Sequence, residues 1–339
     1  MENITPPTDL LTLESLPFDA QKKVALNLPY ETVISFCKVS KKLKRICDDV
    51  YFWRDYLKTN IPVNINVPSG ASIRWYKDKI EQYPKVKVIT DLLDQGKATG
   101  EYIQEHNNNW DIFDRVENLQ EIYCNDKELT SIPLMPNLQE LYCGNNQLTF
   151  IPLMANLQIL YCENNQLTSI PSMPNLQDLY CTNNQLTSIP LMPNLQDLYC
   201  KNNQLTSIPS MPNLRVLWCQ DNQLTSIPSM PNLQELYCEN NQLISIPSMP
   251  NLRVLNCGNN RLTSIPSMPN LQVLSCENNR LTSLPSYPNL QELYCQNNQL
   301  TSLPQMPKLK DLECGDNPLP GHTLKYWKRI WRNRNLHRK

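Results

Sequence analysis

Eleven cysteines, Cys124 through Cys314, recur every 19 residues, and thiols in that number could serve as nucleophiles, metal ligands or disulfide partners. Each of those roles asks for a setting the chain does not offer. Zinc ligands usually come in pairs two to four residues apart with His or Cys partners, and the only histidines are His106, His322 and His337. The full count of thirteen cysteines is odd, and the eleven occupy one repeated position. That position is the second inward site of a Leu-x-Cys alternation, where a thiol serves as a small apolar side chain and stays reduced in a reducing compartment. The cysteines are therefore expected to form a packing ladder. No Gly-rich phosphate loop and no His-Asp-Ser grouping appears, and seven glycines leave little backbone able to approach a phosphate. The chemistry predicted is non-covalent: no catalytic residue, no metal and no cofactor.

The element that must position these side chains is the repeat itself, Leu-x-x-Leu-x-Cys-x-Asn-Asn-x-Leu-Thr-x-Ile-Pro-x-Met-Pro-Asn. A unit this short cannot bury an apolar face alone, so it stacks on its own copies as an α/β repeat solenoid with one short parallel strand per turn. Leu138, Leu141, Cys143, Leu148 and Ile151 point inward. Asn146 and its copies, from Asn165 to Asn317, stand where the chain leaves the strand, and a row of amides there can satisfy buried backbone groups of the next turn. The back, as in Ile170-Pro171-Ser172-Met173-Pro174, has prolines three apart, which forbids a helix and suits an extended polyproline II return. Ten full turns would span about 48 Å.

These residues resemble the leucine-rich repeat, and the two-proline back resembles the short repeats of bacterial effector proteins. The resemblance covers residues 119–319, ten full turns and a partial one. The ends depart from it, with Lys127 in place of the ladder Asn and Ile122 in place of Leu in the first turn. Beyond the last turn, Leu324, Trp327 and Trp331 recur at helical spacing, so residues 323–334 are expected to form a lid helix within a basic cap, 320–339.

Two rows are legible on the concave strand face. One is acidic, Glu121, Glu140, Asp178, Asp197, Glu235, Glu292 and Asp311; the other is aromatic, from Tyr123 through Tyr180, Tyr199, Trp218 and Tyr237, and again at Tyr294. Tyr and Trp pack along a ladder and also anchor protein interfaces, and both roles stay open. In turns eight and nine the aromatic gives way to Asn256 and Ser275 and the acid to Val254 and Val273. The expectation is a recess that accepts an apolar side chain of an unknown target protein, flanked by Val216, Trp218 and Arg253.

Ahead of the repeats, Leu16-Pro17-Phe18-Asp19 leads through Leu28-Pro29 and Val33-Ile34 to Val39-Ser40-Lys41-Lys42-Leu43 and then Trp53. Phe36, Val39, Leu43 and Ile46 form a helical apolar stripe. This resembles an F-box over about residues 10–56. The resemblance implies docking on a Skp-type adaptor of a cullin-RING ubiquitin ligase, with Leu16, Pro17, Leu28, Val33, Ile34 and Val39 as adaptor-facing or domain-core residues. A substrate receptor of this kind works by proximity. The pairing of such a head with near-identical short repeats also resembles proteins encoded by large DNA viruses of amoebae, which implies host cytoplasm.

The partition expected is thus 1–56 F-box-like, 57–118 a mostly helical linker and N-terminal cap, 119–319 solenoid and 320–339 cap. Within 57–118, Ile61 to Val67 alternates like an edge strand, Ile73 to Tyr83 and Val86 to Gln95 read as helices, and the stretch around Trp110 is expected to cover the first turn. Charge separates the parts: residues 119–317 are net −7, whereas 318–339 hold seven basic groups and no acid. The acidic row beside the tyrosines would repel phosphate, which argues against nucleic acid. The start lacks the basic segment and apolar core of a secretory leader, and no run of eighteen apolar residues follows, so a cytoplasmic, non-membrane protein is expected. The alternative to a ligase receptor is a stand-alone leucine-rich repeat scaffold.

Overall fold

The computed structural model describes residues 18–40, 43–61, 67, 69, 71–94, 99–102 and 112–336. The chain divides into two compact units, residues 1–96 with 102–118, and residues 97–101 with 119–339.

The first unit is helical: α1 (Phe18–Ala25), α2 (Tyr30–Val39), α3 (Lys44–Cys47), α4 (Val50–Asn60), α5 (Ile73–Asp94) and α6 (Ile112–Glu117). Val24, Leu28, Val33, Leu43, Ile46, Phe52, Trp53 and Tyr56 share one core with Tyr76 and Ile80 of α5. Trp53 is fully buried, and its indole N–H donates to the Cys47 carbonyl at 2.9 Å. The Tyr56 hydroxyl donates to the Leu28 carbonyl at 2.7 Å, tying α4 to the turn after α1. Asp49 caps α4, accepting from the backbone N–H of Tyr51 and Phe52, and pairs with Lys22. A disulfide joins Cys37 of α2 to Cys47 of α3.

Two helices were expected over 73–95, and one is found. Helix α5 runs through Pro84, with Tyr76 and Ile80 buried before it and Val86 and Ile89 after it. Packing on both sides offsets the roughly 3 kcal/mol that an interior proline costs. Ile61 is extended but closes α4, and most of the predicted edge strand lies outside the described residues, as does Trp110. An unanticipated strand, β1 (Thr99–Tyr102), heads the sheet instead.

The second unit is the solenoid. Strands β2 (Leu119–Tyr123), β3 (Glu140–Tyr142), β4 (Ile159–Tyr161), β5 (Asp178–Tyr180), β6 (Asp197–Tyr199), β7 (Val216–Trp218), β8 (Glu235–Tyr237), β9 (Val254–Asn256), β10 (Val273–Ser275), β11 (Glu292–Tyr294) and β12 (Asp311–Glu313) lie in sequence order. Neighbours from β2 to β12 pair in parallel, and each residue stands beside its copy 19 positions on, as Glu121 beside Glu140 and Tyr180 beside Tyr199. Leu141, Cys143 and Leu148 and their copies are buried, except for the half-buried Leu312 of the last turn, and so is a column from Met135 to Met306 in which Tyr287 replaces one methionine. The back of each turn carries no helix.

Two asparagines govern each turn. The first, Asn145 and its copies, has φ near 55° and is replaced only by Asp126, Asp221 and Asp316. Asx residues tolerate this left-handed conformation better than other side chains. The second is the buried ladder. Asn165 Oδ1 accepts the Leu148 N–H of the preceding turn at 2.9 Å, while its Nδ2 donates to the carbonyls of Cys143 and Cys162 at 3.0 and 3.1 Å. In the first turn, where Lys127 interrupts the row, Asn146 Oδ1 accepts from both Lys127 and Leu129. At the far end α7 (Leu324–Leu336) buries Trp327 and Trp331, and the Trp331 indole N–H reaches the Leu303 carbonyl at 3.5 Å.

Candidate partner-binding surfaces

The strand face carries both expected rows. Rings of Tyr123, Tyr142, Tyr161, Tyr180 and Tyr199 stack with centroids 4.3, 4.9, 3.9 and 4.2 Å apart. The spacing of parallel strands, about 4.8 Å, is close to the thickness two stacked rings need, so the sheet builds the stack. Trp218 breaks it: the indole tilts by 55° to Tyr199 and 52° to Tyr237, and its Nε1 is buried without a partner. The carboxylates serve the phenols, with Tyr142 donating to Glu140 at 2.8 Å and Tyr294 to Glu292 and Asp311 at 3.3 Å each. Burial, with the carboxylates of Asp197 and Glu140 nearby, holds the Asp178 carboxyl above its usual range. Burial raises the Asp197 carboxyl too, against an opposing pull from Arg215.

The break in both rows is present, but only half of it is apolar. Val254 and Val273 stand side by side, as do Asn256 and Ser275. Asn256 Nδ2 donates to Glu239 Oε1 at 3.0 Å, and Ser275 Oγ donates to Glu277 Oε2 at 2.7 Å. At the break, then, two valines stand beside two polar side chains, each hydrogen-bonded to a glutamate that follows a ladder cysteine. The Glu239 carboxyl is pushed up by burial, only partly relieved by hydrogen bonds from its own backbone and Gln220, and its Oε2 is buried without a partner. The residues named for this face, Tyr180, Tyr199, Val216, Trp218, Tyr237, Val254, Asn256, Val273, Ser275 and Tyr294, all lie on strands β5 to β11 and are half-buried. Arg253 stands just before β9 and is exposed.

The ladder cysteines are free and buried, and burial pushes the Cys124 thiol up to about 12 and its neighbours well above their ordinary value. A thiol so held supplies no thiolate at neutral pH. No group of three His, Cys, Asp or Glu able to hold a metal occurs among the described residues, and no helix there is long and apolar enough to cross a membrane.

On the head, Val33 and Leu28 belong to the core and are not on its surface, and Ile34 is half-buried against that core. Leu16, Pro17 and the side chain of Val39 lie outside the described residues. Sequence reasoning missed two exposed aromatics, Phe18 and Tyr51, each beneath a cation, Lys22 and Arg54 respectively.

The chain is similar to YopM, a leucine-rich effector protein from Yersinia pestis, at 28% identity and TM-score 0.56, over 78% of this chain and 69% of that one. It is also similar to the functional domain of InlJ from Listeria monocytogenes, which includes a cysteine ladder, at 27% identity and TM-score 0.58, over 61% of this chain and 51% of that one. No match was found among curated proteins. An F-box domain model matches residues 13–55. The model for leucine-rich repeats in pairs of copies matches successive windows from 117–154 to 288–322, and the chain therefore belongs to the leucine-rich repeat family.

Proposed function

We propose that this chain is a non-catalytic substrate receptor: the F-box head docks on a Skp-type adaptor of a cullin-RING ubiquitin ligase while the strand face of the solenoid holds a target protein. The observation that carries the reading is the presence, in one chain, of an F-box domain and a repeat array whose outward strand positions are mostly tyrosine, tryptophan and carboxylate. Tyr and Trp are enriched where interfaces concentrate their energy, and rings already held in a stack lose little freedom on binding. The target is centred on Trp218, Tyr237 and the break at Val254 and Ser275. Holding adaptor and target together raises the effective concentration of a target lysine beside the ligase, with no bond made or broken by this chain. The likeness of this pairing to proteins of large amoebal DNA viruses supplies a setting for it, host cytoplasm.

One observation favours the alternative, a stand-alone scaffold. The Cys37–Cys47 disulfide binds α2 to α3, and structural disulfides belong mainly to oxidising compartments.

The two separate in a pull-down of the full chain with a Skp-type adaptor and cullin, run with and without a thiol reductant. The mutant control is Leu16→Asp with Phe18→Asp, chosen because Leu28→Asp would strike the core, and it is checked by circular dichroism. Capture by the wild type that the mutant loses is the expected result. No capture in either redox state sinks the ligase reading and leaves the scaffold.

A further inference from the structure

Beside the strand face, on the side where the chain enters each strand, runs a second groove of about 1140 Å³ from Gln158 to Lys308. It is lined by two rows of side-chain amides, and its lining, among the described residues, holds cations and no carboxylate. Each asparagine of one row donates an Nδ2–H to a carbonyl of the turn before, as Asn213 to Pro193 at 2.9 Å and Asn232 to Pro212 at 2.8 Å. An amide offers two N–H donors and an oxygen with two lone pairs, so most of its hydrogen-bonding capacity is left for a ligand.

The cations are placed by departures from the repeat. Where Gln177-Asp178 and Gln196-Asp197 stand in earlier turns, Arg215-Val216 and Arg253-Val254 stand later. The glutamine becomes a guanidinium, and the acid next to it is lost in the same turn. Among the described residues neither arginine has a carboxylate oxygen within 4.0 Å, although Arg215 pulls on the Asp197 carboxyl from a longer distance. At the end of the groove Lys308 and Lys310 are hydrogen-bonded to the neutral amide oxygens of Asn289 and Gln291 at 2.8 and 2.7 Å. An array of net charge −7 thus carries one cationic channel.

We infer that this groove binds an extended acidic peptide segment, as a surface separate from the aromatic strand face. Strand spacing puts Arg215 and Arg253 about 10 Å apart and Arg253 and the lysines about 14 Å apart along the groove. An extended chain rises about 3.3 Å per residue, so these intervals match carboxylates at i, i+3 and i+7. The amide rows take the backbone N–H and C=O groups between them. The inference stands whether or not the head docks on an adaptor, because the chain alone is titrated.

The probe is a fluorescein-labelled peptide of about twelve residues with glutamates at i, i+3 and i+7 in a serine and threonine background. It is titrated into the full chain by anisotropy beside its glutamine counterpart and an oligothymidylate of equal charge. Expected is saturable binding that weakens with salt, and that drops at least about tenfold for the glutamine peptide and for Arg215→Gln with Arg253→Gln. Gln234→Glu, which puts an acid between the arginines, weakens it similarly, so a fold defect in one variant does not decide the matter. Equal binding of the neutral peptide, unchanged binding in both variants, or tighter binding of the oligothymidylate each overturns the inference.

Discussion

Replacing Asn203 by alanine isolates what the buried amide ladder contributes. Its Oδ1 accepts the Leu186 N–H at 2.9 Å, and its Nδ2 donates to the carbonyls of Cys181, Cys200 and Lys201 at 3.0, 3.1 and 3.2 Å. The carbonyls are not orphaned by the change. Cys181 keeps Asn184 Nδ2, Cys200 keeps Asn222 Nδ2, and Lys201 keeps the Asn183 N–H. The Leu186 N–H has no second partner, and it is buried. A buried donor left unpaired costs about 1–3 kcal/mol, and the lost carbonyl contacts add about 1 more, so Asn203→Ala should destabilise by roughly 2–4 kcal/mol.

The comparison is Asn202→Ala, one residue away. Asn202 has φ 52°, and its exposed amide donates to Asn183 Oδ1 at 2.7 Å. Alanine there pays a left-handed penalty of about 1–2 kcal/mol and loses only a solvated bond. Urea unfolding followed by far-ultraviolet dichroism and tryptophan fluorescence gives both values. Because each turn touches only its neighbours, the Asn203 variant should also broaden or split the transition by uncoupling the turns on either side. A loss at Asn203 no larger than at Asn202, with one sharp transition, would refute the view that the amide row is the principal polar seam between turns.

Two further outcomes follow from burial. The folded Glu239 carboxyl titrates above the ordinary glutamate value of 4.5, burial being the largest cause and Asp221 and Glu277 adding to it. A raised carboxyl means the folded state holds its proton more tightly, so stability falls as pH rises from 4.5 through the folded value, and the full penalty is present at neutrality. Glu239→Gln should therefore raise the Tm at pH 7 and give little or no gain at pH 4; an equal gain at both would place the effect elsewhere. Trp331→Ala removes a side chain only 4% exposed, and should cost about 3–5 kcal/mol, with hydrogen exchange rising first in β12 and β11. A loss below about 1 kcal/mol would mean that α7 does not close the core.

The solenoid was legible because its signal is doubly redundant: Leu141-x-Cys143 has the period of a strand, and every turn repeats it. The ladder Asn146 was legible from chemistry, since an amide satisfies a donor and an acceptor at once. The column from Met135 to Met306 was missed, because an irregular Ile-Pro-x-Met-Pro segment has no period from which to read a direction, and only the packed turn turns methionine inward. The left-handed residue had a visible signal, Asn-Asn with Asp as the sole substitute from Asp126 to Asp316. In the head, sequence left Val33 and Leu28 open between adaptor contact and core because F-box positions are scattered apolar residues, and burial places both in the core. The Cys37–Cys47 pair, ten residues apart, depends on the turn that brings α3 back to α2.

Repetition itself limits what the copied positions can recognise. A partner that touched only the stacked tyrosines and their acids would meet an equivalent surface every 4.8 Å or so, and could bind in any of several registers. Binding in one of about ten equivalent registers in place of any of them requires a contact worth at least about 1.4 kcal/mol that the others lack. Such contacts exist only where turns differ, and many of the differences gather between Arg215 and Ser275: three arginines, three valines in the acid row, one tilted indole, and Asn256 and Ser275 hydrogen-bonded to half-buried carboxylates. The copied residues build the frame and supply area. The unlike residues fix where on it a partner sits, and for that reason substitutions at Arg215, Trp218, Arg253 and Val254 should alter register and specificity where substitutions at Tyr142 or Tyr161 alter affinity alone.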